Sequence, residues 1–423
     1  MRTKLLALLI VAAMLIGLLA ACADGSPTTE QESTPHVLST PPPGATCPVP
    51  GGTPVMADPS ASTQEAILAF SQAMFRAVLA ADEENPVISP LSAYYALAMV
   101  ALGAQGDTAA EFQAVLGRDS LELAADLLAL TQSLTATSGS TALAIAGGVW
   151  TADDFVINPD FATLLEKYFD APARSRNFAD PATVQEINRW IYERTYGLLD
   201  DVIDSIGRDA VMLLVNTLYF SGQWADAFNP MTAHPGTFYT ESGASVERPF
   251  LSTRSSSFSV AVTDSFEAVS LPYDDDRLGF LLVRPTDGTS IRDFAQDFDL
   301  AAILDSLAMR HEVRVRMPKL DLEFEITLNA VLQNMGLILP FSDHADFTGL
   351  SAENEDLRIS SVLQKVRLLV DEEGTEAAAV TVIEIERTAI ALDLLELNFN
   401  TPYLYVIYDM QTGIPLFMGI LEG

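Results

Sequence analysis

Only two cysteines occur in the 423-residue chain, Cys22 and Cys47, and both precede the region patterned like a folded domain. That scarcity excludes a disulfide framework and a thiolate metal cluster, so the fold must stand on packing. Histidine is nearly as scarce, with only His36, His234, His311 and His344. His311-Glu312 opens like a zinc-protease helix, but Arg314 and Val315 stand where a second histidine is needed. The chain has no Gly-x-Ser-x-Gly elbow, no Walker loop and no Gly-x-Gly-x-x-Gly turn, which disfavours an enzyme of those classes. Neither a metal nor a cofactor is indicated. Basic residues are also few, 23 against 57 acidic, giving a net charge of −34. Nucleic acid and sulfated polysaccharides would meet repulsion, and the stretch from Asp119 to Thr135 carries no Lys or Arg to offset it.

What is present begins with the amino terminus. Arg2 and Lys4 precede an apolar run from Leu5 to Ala21, short for a membrane span and suited to an export signal over residues 1–21. It ends in Leu19-Ala20-Ala21-Cys22, which resembles a lipobox with Cys22 as the site of lipid attachment. An uncleaved signal anchor is the alternative, and either way the chain is expected to leave the cytoplasm. Residues 22–60 are rich in Pro, Ser, Thr and Gly, including Pro41-Pro42-Pro43, and read as a semi-extended tether.

With 49% hydrophobic residues the rest of the chain can bury a large core. A single domain is expected over 61–423. Ser62 and Glu65 form a capping-box pattern before Ile67, Phe70, Met74, Phe75 and Val78, one face of a helix. Ser89 and Pro90 suit the start of a second helix, with Leu91, Tyr95, Ala98 and Leu102 on one face and Gly103 at its end. Strand signals follow later, as in Val211 to Val215 and Leu278 to Val283. Between His311 and Thr327 the alternation changes phase at Pro318-Lys319, where a bulge or bend is expected. Helices cluster early and strands late, which points to a mixed α+β fold.

The segment from Glu372 to Arg387 is unusual. Ile383 and Ile385 alternate with Glu384 and Glu386 as in a half-buried strand, and Thr375, Ala377, Ala379 and Thr381 continue that face with small side chains. No proline interrupts it, and Gly374 offers a pivot at its base. An ordinary strand with a weak, alanine-rich start fits the same pattern.

Asp371-Glu372-Glu373-Gly374-Thr375-Glu376-Ala377-Ala378-Ala379 resembles the hinge of inhibitory serpins. Other motifs fall in that family's order: Asn85 to Ser92 running on to Thr108, Val215 to Trp224, Met317-Pro318-Lys319-Leu320, Phe399 to Tyr403, and Leu416 to Gly419. The chain is therefore identified as similar to an inhibitory bacterial serpin with a lipoprotein signal peptide. The resemblance implies the serpin fold, with helices packed around three β-sheets and an exposed reactive-centre loop at about 372–395. It also implies a serine protease inhibitor that traps its target covalently and inserts the cut loop into sheet A.

The same resemblance implies roles for particular residues. Glu372, Gly374, Thr375, Glu376, Ala377, Ala378 and Ala379 would form the hinge, and Lys319 with Trp224 the breach, where Lys319 pairs with Glu372. Ser89, Ser92 and Asn216 would form the shutter, with Gln364 where the family usually has histidine. The reactive bond would be Thr388–Ala389, with Arg387 as the rival preceding residue. Arg387 suits a trypsin-like target, and Thr388 an elastase-like or subtilisin-like one. The protein is expected to act as a monomer, held to the membrane through the Cys22 lipid. A non-inhibitory serpin, an extracellular hydrolase and a solute-binding lipoprotein are the competing readings.

Overall fold

The computed structural model describes residues 59–423 apart from 82, 137–138, 209, 229, 231–233, 310–311, 352, 354–356 and 376–393. Nine helices are present among the described residues: α1 (Ala61–Leu79), α2 (Pro90–Ala101), α3 (Gly106–Leu116), α4 (Ser120–Thr135), α5 (Pro159–Phe169), α6 (Pro181–Arg194), α7 (Ile291–Asp297), α8 (Leu300–Ser306) and α9 (Asn329–Asn334). Their starts follow local chemistry. The hydroxyl of Ser60 accepts the Thr63 N–H, so α1 begins two residues before the Ser62 capping box could start it. The carboxylate of Asp119 accepts two N–H groups of the first turn of α4. On α1 the predicted face of Ile67, Phe70, Met74, Phe75 and Val78 is buried.

The strands form three sheets. The first has seven strands, in the order β1 (Val87–Ile88), β17 (Pro415–Leu421), β16 (Tyr403–Asp409), β9 (Leu278–Pro285), β8 (Phe266–Pro272), β7 (Ser259–Val262) and β10 (Ala308–Met309). Every residue of β16 and β17 is buried, which explains their largely apolar sequences, and the one charge among them, Asp409, is paired with Arg277. A second sheet orders β15 (Leu395–Asn398), β11 (Val313–Pro318), β6 (Ser245–Ser255) and β5 (His234–Tyr239). The third orders β12 (Leu320–Thr327), β13 (Leu363–Val370), β14 (Gly374–Thr375), β4 (Met212–Gln223), β2 (Ala142–Ala152) and β3 (Ala173–Arg176). This is the α+β arrangement of helices around three sheets.

The phase change at Pro318-Lys319 has a different cause from the expected bulge. There the chain leaves the four-stranded sheet, where β11 pairs with β6, and enters the six-stranded one, where β12 pairs with β13. Each half of the alternation buries its apolar residues against its own sheet. Helix α2 packs against both β4 and β17, so it lies between the six-stranded and seven-stranded sheets. Nine of its twelve residues are buried for that reason. On the other face of the six-stranded sheet, Ile187 and Ile191 of α6 form a separate core with Trp150, against which Leu213 and Val215 of β4 pack.

Candidate functional site

The six-stranded sheet is divided along its middle. β13 and β4 share no ladder with each other among the described residues, and only the two-residue β14 lies between them. Thr375 pairs with Val370 of β13 on one side and Gly222 of β4 on the other. At that level β13 and β4 therefore stand two strand spacings apart, roughly 10 Å.

A tight turn sets β14 in place. Asp371 accepts the N–H groups of Glu373 and Gly374 at 2.9 and 3.3 Å, and its own N–H reaches the Gly374 carbonyl at 2.9 Å. Gly374 is required here by close approach rather than as a pivot, because a Cβ on it would lie 2.0 Å from the Gly222 carbonyl oxygen. The carbonyls of Glu372 and Glu373 are held by the N–H groups of Phe228 and Trp224 at 2.9 and 3.0 Å. The Trp224 indole N–H donates to the Asp371 carbonyl at 3.0 Å, and its ring stacks on Tyr273 with centroids 4.8 Å apart. Lys319, at the junction of the two sheets, meets the Glu372 carboxylate at 2.5 Å.

Thr375 is only 2% exposed, and its hydroxyl lies 2.6 Å from the Tyr273 hydroxyl. Burial pushes the Tyr273 phenol far above its ordinary range, the Thr375 hydrogen bond opposes this in part, and the Asp275 charge adds to it. The phenol therefore stays neutral and can both donate and accept. Nearby Asp275 is itself raised by burial, against the lowering effect of the Leu278 and Arg277 N–H groups that it accepts.

Lower in the divided sheet the flanking strands are tied to the start of α2. Gln364 of β13 donates from its amide to the Ser89 carbonyl at 2.8 Å and accepts the Ser89 N–H at 3.1 Å. Ser89 has no capping bond to its helix and donates its hydroxyl to the Leu416 carbonyl at 2.9 Å instead. Across the gap, the Ser92 hydroxyl donates to the Asn216 side-chain oxygen at 2.9 Å. Among the described residues no hydrogen bond joins Gln364 to Asn216, so each strand is moored to α2 independently.

The structure thus brings together Lys319, Trp224, Glu372, Gly374 and Thr375 at one end of the gap, and Ser89, Ser92, Asn216 and Gln364 further along it. Glu376, Ala377, Ala378, Ala379, Arg387, Thr388, Ala389 and Cys22 lie outside the described residues. Sequence reasoning missed Asp371, Phe228 and Tyr273. Asp371 had a signal, since an aspartate three residues before a glycine favours a turn. Tyr273 had none, because its part depends on a stacking partner 49 positions away in the chain.

Comparison with known proteins identifies the architecture. The family model described as "Serpin (serine protease inhibitor)" matches residues 65–422. Human neuroserpin is 29% identical over 382 residues, covering 86% of this chain and 92% of that protein. The native structure of the thermophilic serpin Tengpin matches with a TM-score of 0.78 at 27% identity, over 85% of this chain and 94% of Tengpin. Thyroxine-binding globulin in complex with thyroxine shares the fold, with a TM-score of 0.76 at 23% identity over 85% of this chain and 98% of its own. The chain that carries this divided sheet belongs to the serpin family.

Proposed function

We propose that the protein inhibits serine-type endopeptidases by covalent trapping, with the segment after Thr375 as bait and spring. One observation carries the reading: Gly374 and Thr375 are already laddered between β4 and β13, strands that do not pair with each other. The protease serine oxygen attacks the carbonyl carbon of Thr388, the bond to the Ala389 nitrogen breaks, and that nitrogen leaves with a proton. An ester then joins Thr388 to the enzyme. Arg387 is the alternative acyl residue and would select trypsin-like targets.

A strand continued from Thr375 in the same register would set Ala377 between Leu368 and Phe220, Ala379 between Val366 and Leu218, and Thr381 between Gln364 and Asn216. Small side chains suit those places because Leu368, Phe220, Val366 and Leu218 already fill the buried face. Roughly a dozen ladder bonds at about 1 kcal/mol net each are comparable to the 5–15 kcal/mol that hold a typical protease folded. Insertion on this scale would supply energy comparable to that needed to distort the trapped enzyme. The reading assigns Lys319 and Trp224 to guarding the entrance, and Ser89 and Ser92 at the start of α2, with Asn216 of β4 and Gln364 of β13, to the middle of the gap. Export, with attachment to the membrane through a lipid on Cys22, belongs to the same proposal.

The test is incubation of the purified protein with trypsin, elastase and subtilisin, followed by a denaturing gel and mass spectrometry of the released peptide. A denaturant-resistant adduct with at least one enzyme is expected, and a new amino terminus at Ala389 locates the bond. Clean digestion by all three without an adduct would leave a non-inhibitory serpin.

A further inference from the structure

The chain is strongly acidic, yet on the outer side of the six-stranded sheet arginines exceed their carboxylate partners. Edge strand β3 carries Arg174 and Arg176, and α6 presents Glu186, Trp190 and Arg194 four residues apart along one stripe. Glu186 is fully engaged, accepting Arg176 Nε at 2.6 Å and Trp150 Nε1 at 3.3 Å. Arg174 lies over the Trp150 ring at 5.3 Å, Trp150 meets Trp190 edge-on at 5.2 Å, and Arg194 lies over Trp190 at 5.7 Å. Among the described residues, no carboxylate comes within ion-pair distance of Arg174 or Arg194. Burial, and next the charge of Arg194, lower the Arg174 pKa, with Glu186 and Asp170 opposing them and Arg176 adding to them, so the two guanidinium groups lie in each other's field.

Two donors in this cluster, Arg174 Nη1 and Trp190 Nε1, are shielded from solvent and have no acceptor among the described residues. Guanidinium and indole N–H groups can only donate. A water molecule would accept from them, but its own protons would find no acceptor on these groups, and the Arg174–Arg194 repulsion would be offset only by the more distant charges of Glu186 and Asp170. An acceptor-only group with negative charge matches both needs, and a tetrahedral oxyanion offers enough oxygens for several donors at once. We propose that the α6–β3 face binds an inorganic oxyanion of the phosphate class, held by Arg174, Arg194 and the Trp190 indole N–H. Such an ion ties α6 to the sheet edge.

Two of the chain's three tryptophans stand in the cluster and report on it. The purified protein is titrated with sodium phosphate at constant ionic strength while tryptophan fluorescence and melting temperature are followed. A saturable fluorescence change is expected, with a rise in melting temperature over the same concentrations. Arg174→Gln and Arg194→Gln should each raise the apparent Kd at least tenfold. Arg194 is half-buried on the last turn of α6, so its replacement leaves the core in place. Arg174→Glu supplies a carboxylate beside Arg194. That variant should lose the phosphate response and, without phosphate, melt no lower than the wild type. A linear, non-saturating response, or equal saturation in the wild type and both glutamine variants, overturns the assignment.

Discussion

Replacing Thr375 by arginine tests the spring at its first inserted residue. The wild-type side chain is 2% exposed, hydrogen-bonded to Tyr273 and wedged between Val370 and Gly222. An arginine pointing the same way would bring a charge into a buried place, at several kcal/mol, and would take away the Tyr273 bond, worth about 1 kcal/mol. Even if the chain relaxes enough to reduce the total to about 3 kcal/mol, a step that must pass through this arrangement slows more than a hundredfold. Hydrolysis of the ester would then outrun insertion, and the variant would be consumed as a substrate. The assay is the stoichiometry of inhibition, read as residual protease activity against inhibitor added, with adduct yield on a denaturing gel. Thr375→Ser keeps the hydroxyl and should stay close to wild type. Wild-type stoichiometry and adduct yield in Thr375→Arg would refute the reasoning.

Cutting the loop once between positions 376 and 393 should raise the melting temperature by roughly 10 °C or more, since ladder bonds on the order of 10 kcal/mol are gained in a chain of this size; calorimetry of nicked and intact protein decides it. Gln364→Leu should cost about 2–4 kcal/mol, because it leaves the buried N–H of Ser89 without its acceptor and takes one of two donors from the Ser89 carbonyl, which keeps the Ala93 N–H, and should lower the melting temperature by several degrees. Asp275→Asn should stabilise the protein at neutral pH while keeping the acceptor for Arg277 and Leu278. The sign follows from the raised carboxyl: the folded chain holds this proton to higher pH than the unfolded chain, so its contribution is complete below the ordinary carboxylate range and is lost as pH rises through the folded pKa. Thermal scans should therefore show the variant's advantage at pH 7 and its disappearance near pH 4; an advantage independent of pH argues against burial as the cause.

Much of this architecture was legible where local pattern and burial agree. The face of α1, the start of α2 at Pro90 and the strand over Leu278 to Val283 are set by periodicity, which the chain obeys wherever one side of an element meets a core. The change of phase at Pro318-Lys319 was visible, but its meaning was not, because a switch of sheets and a bulge leave the same mark on alternation. Gly374 shows the same limit. A glycine signals either unusual backbone angles or close approach, and only the position of the Gly222 carbonyl tells which. The mooring of Gln364 to Ser89 joins residues 275 positions apart, and the Thr375–Tyr273 contact joins residues 102 apart. Such pairs have no local periodicity, and family resemblance reached the first of them through motif order alone.

The run from Val313 to Thr327 is laddered to strands on either side of residues 376–393. β11 carries β15, the next described strand after residues 376–393, and β12 carries β13, which delivers the chain to β14. A single residue, Lys319, separates the two strands. Under the proposed mechanism, severing the chain within residues 376–393 would leave the downstream part in its berth beside β11, while the upstream part would move with the enzyme attached to it. The parting of the two fragments is thus built into where one continuous ribbon passes from sheet to sheet.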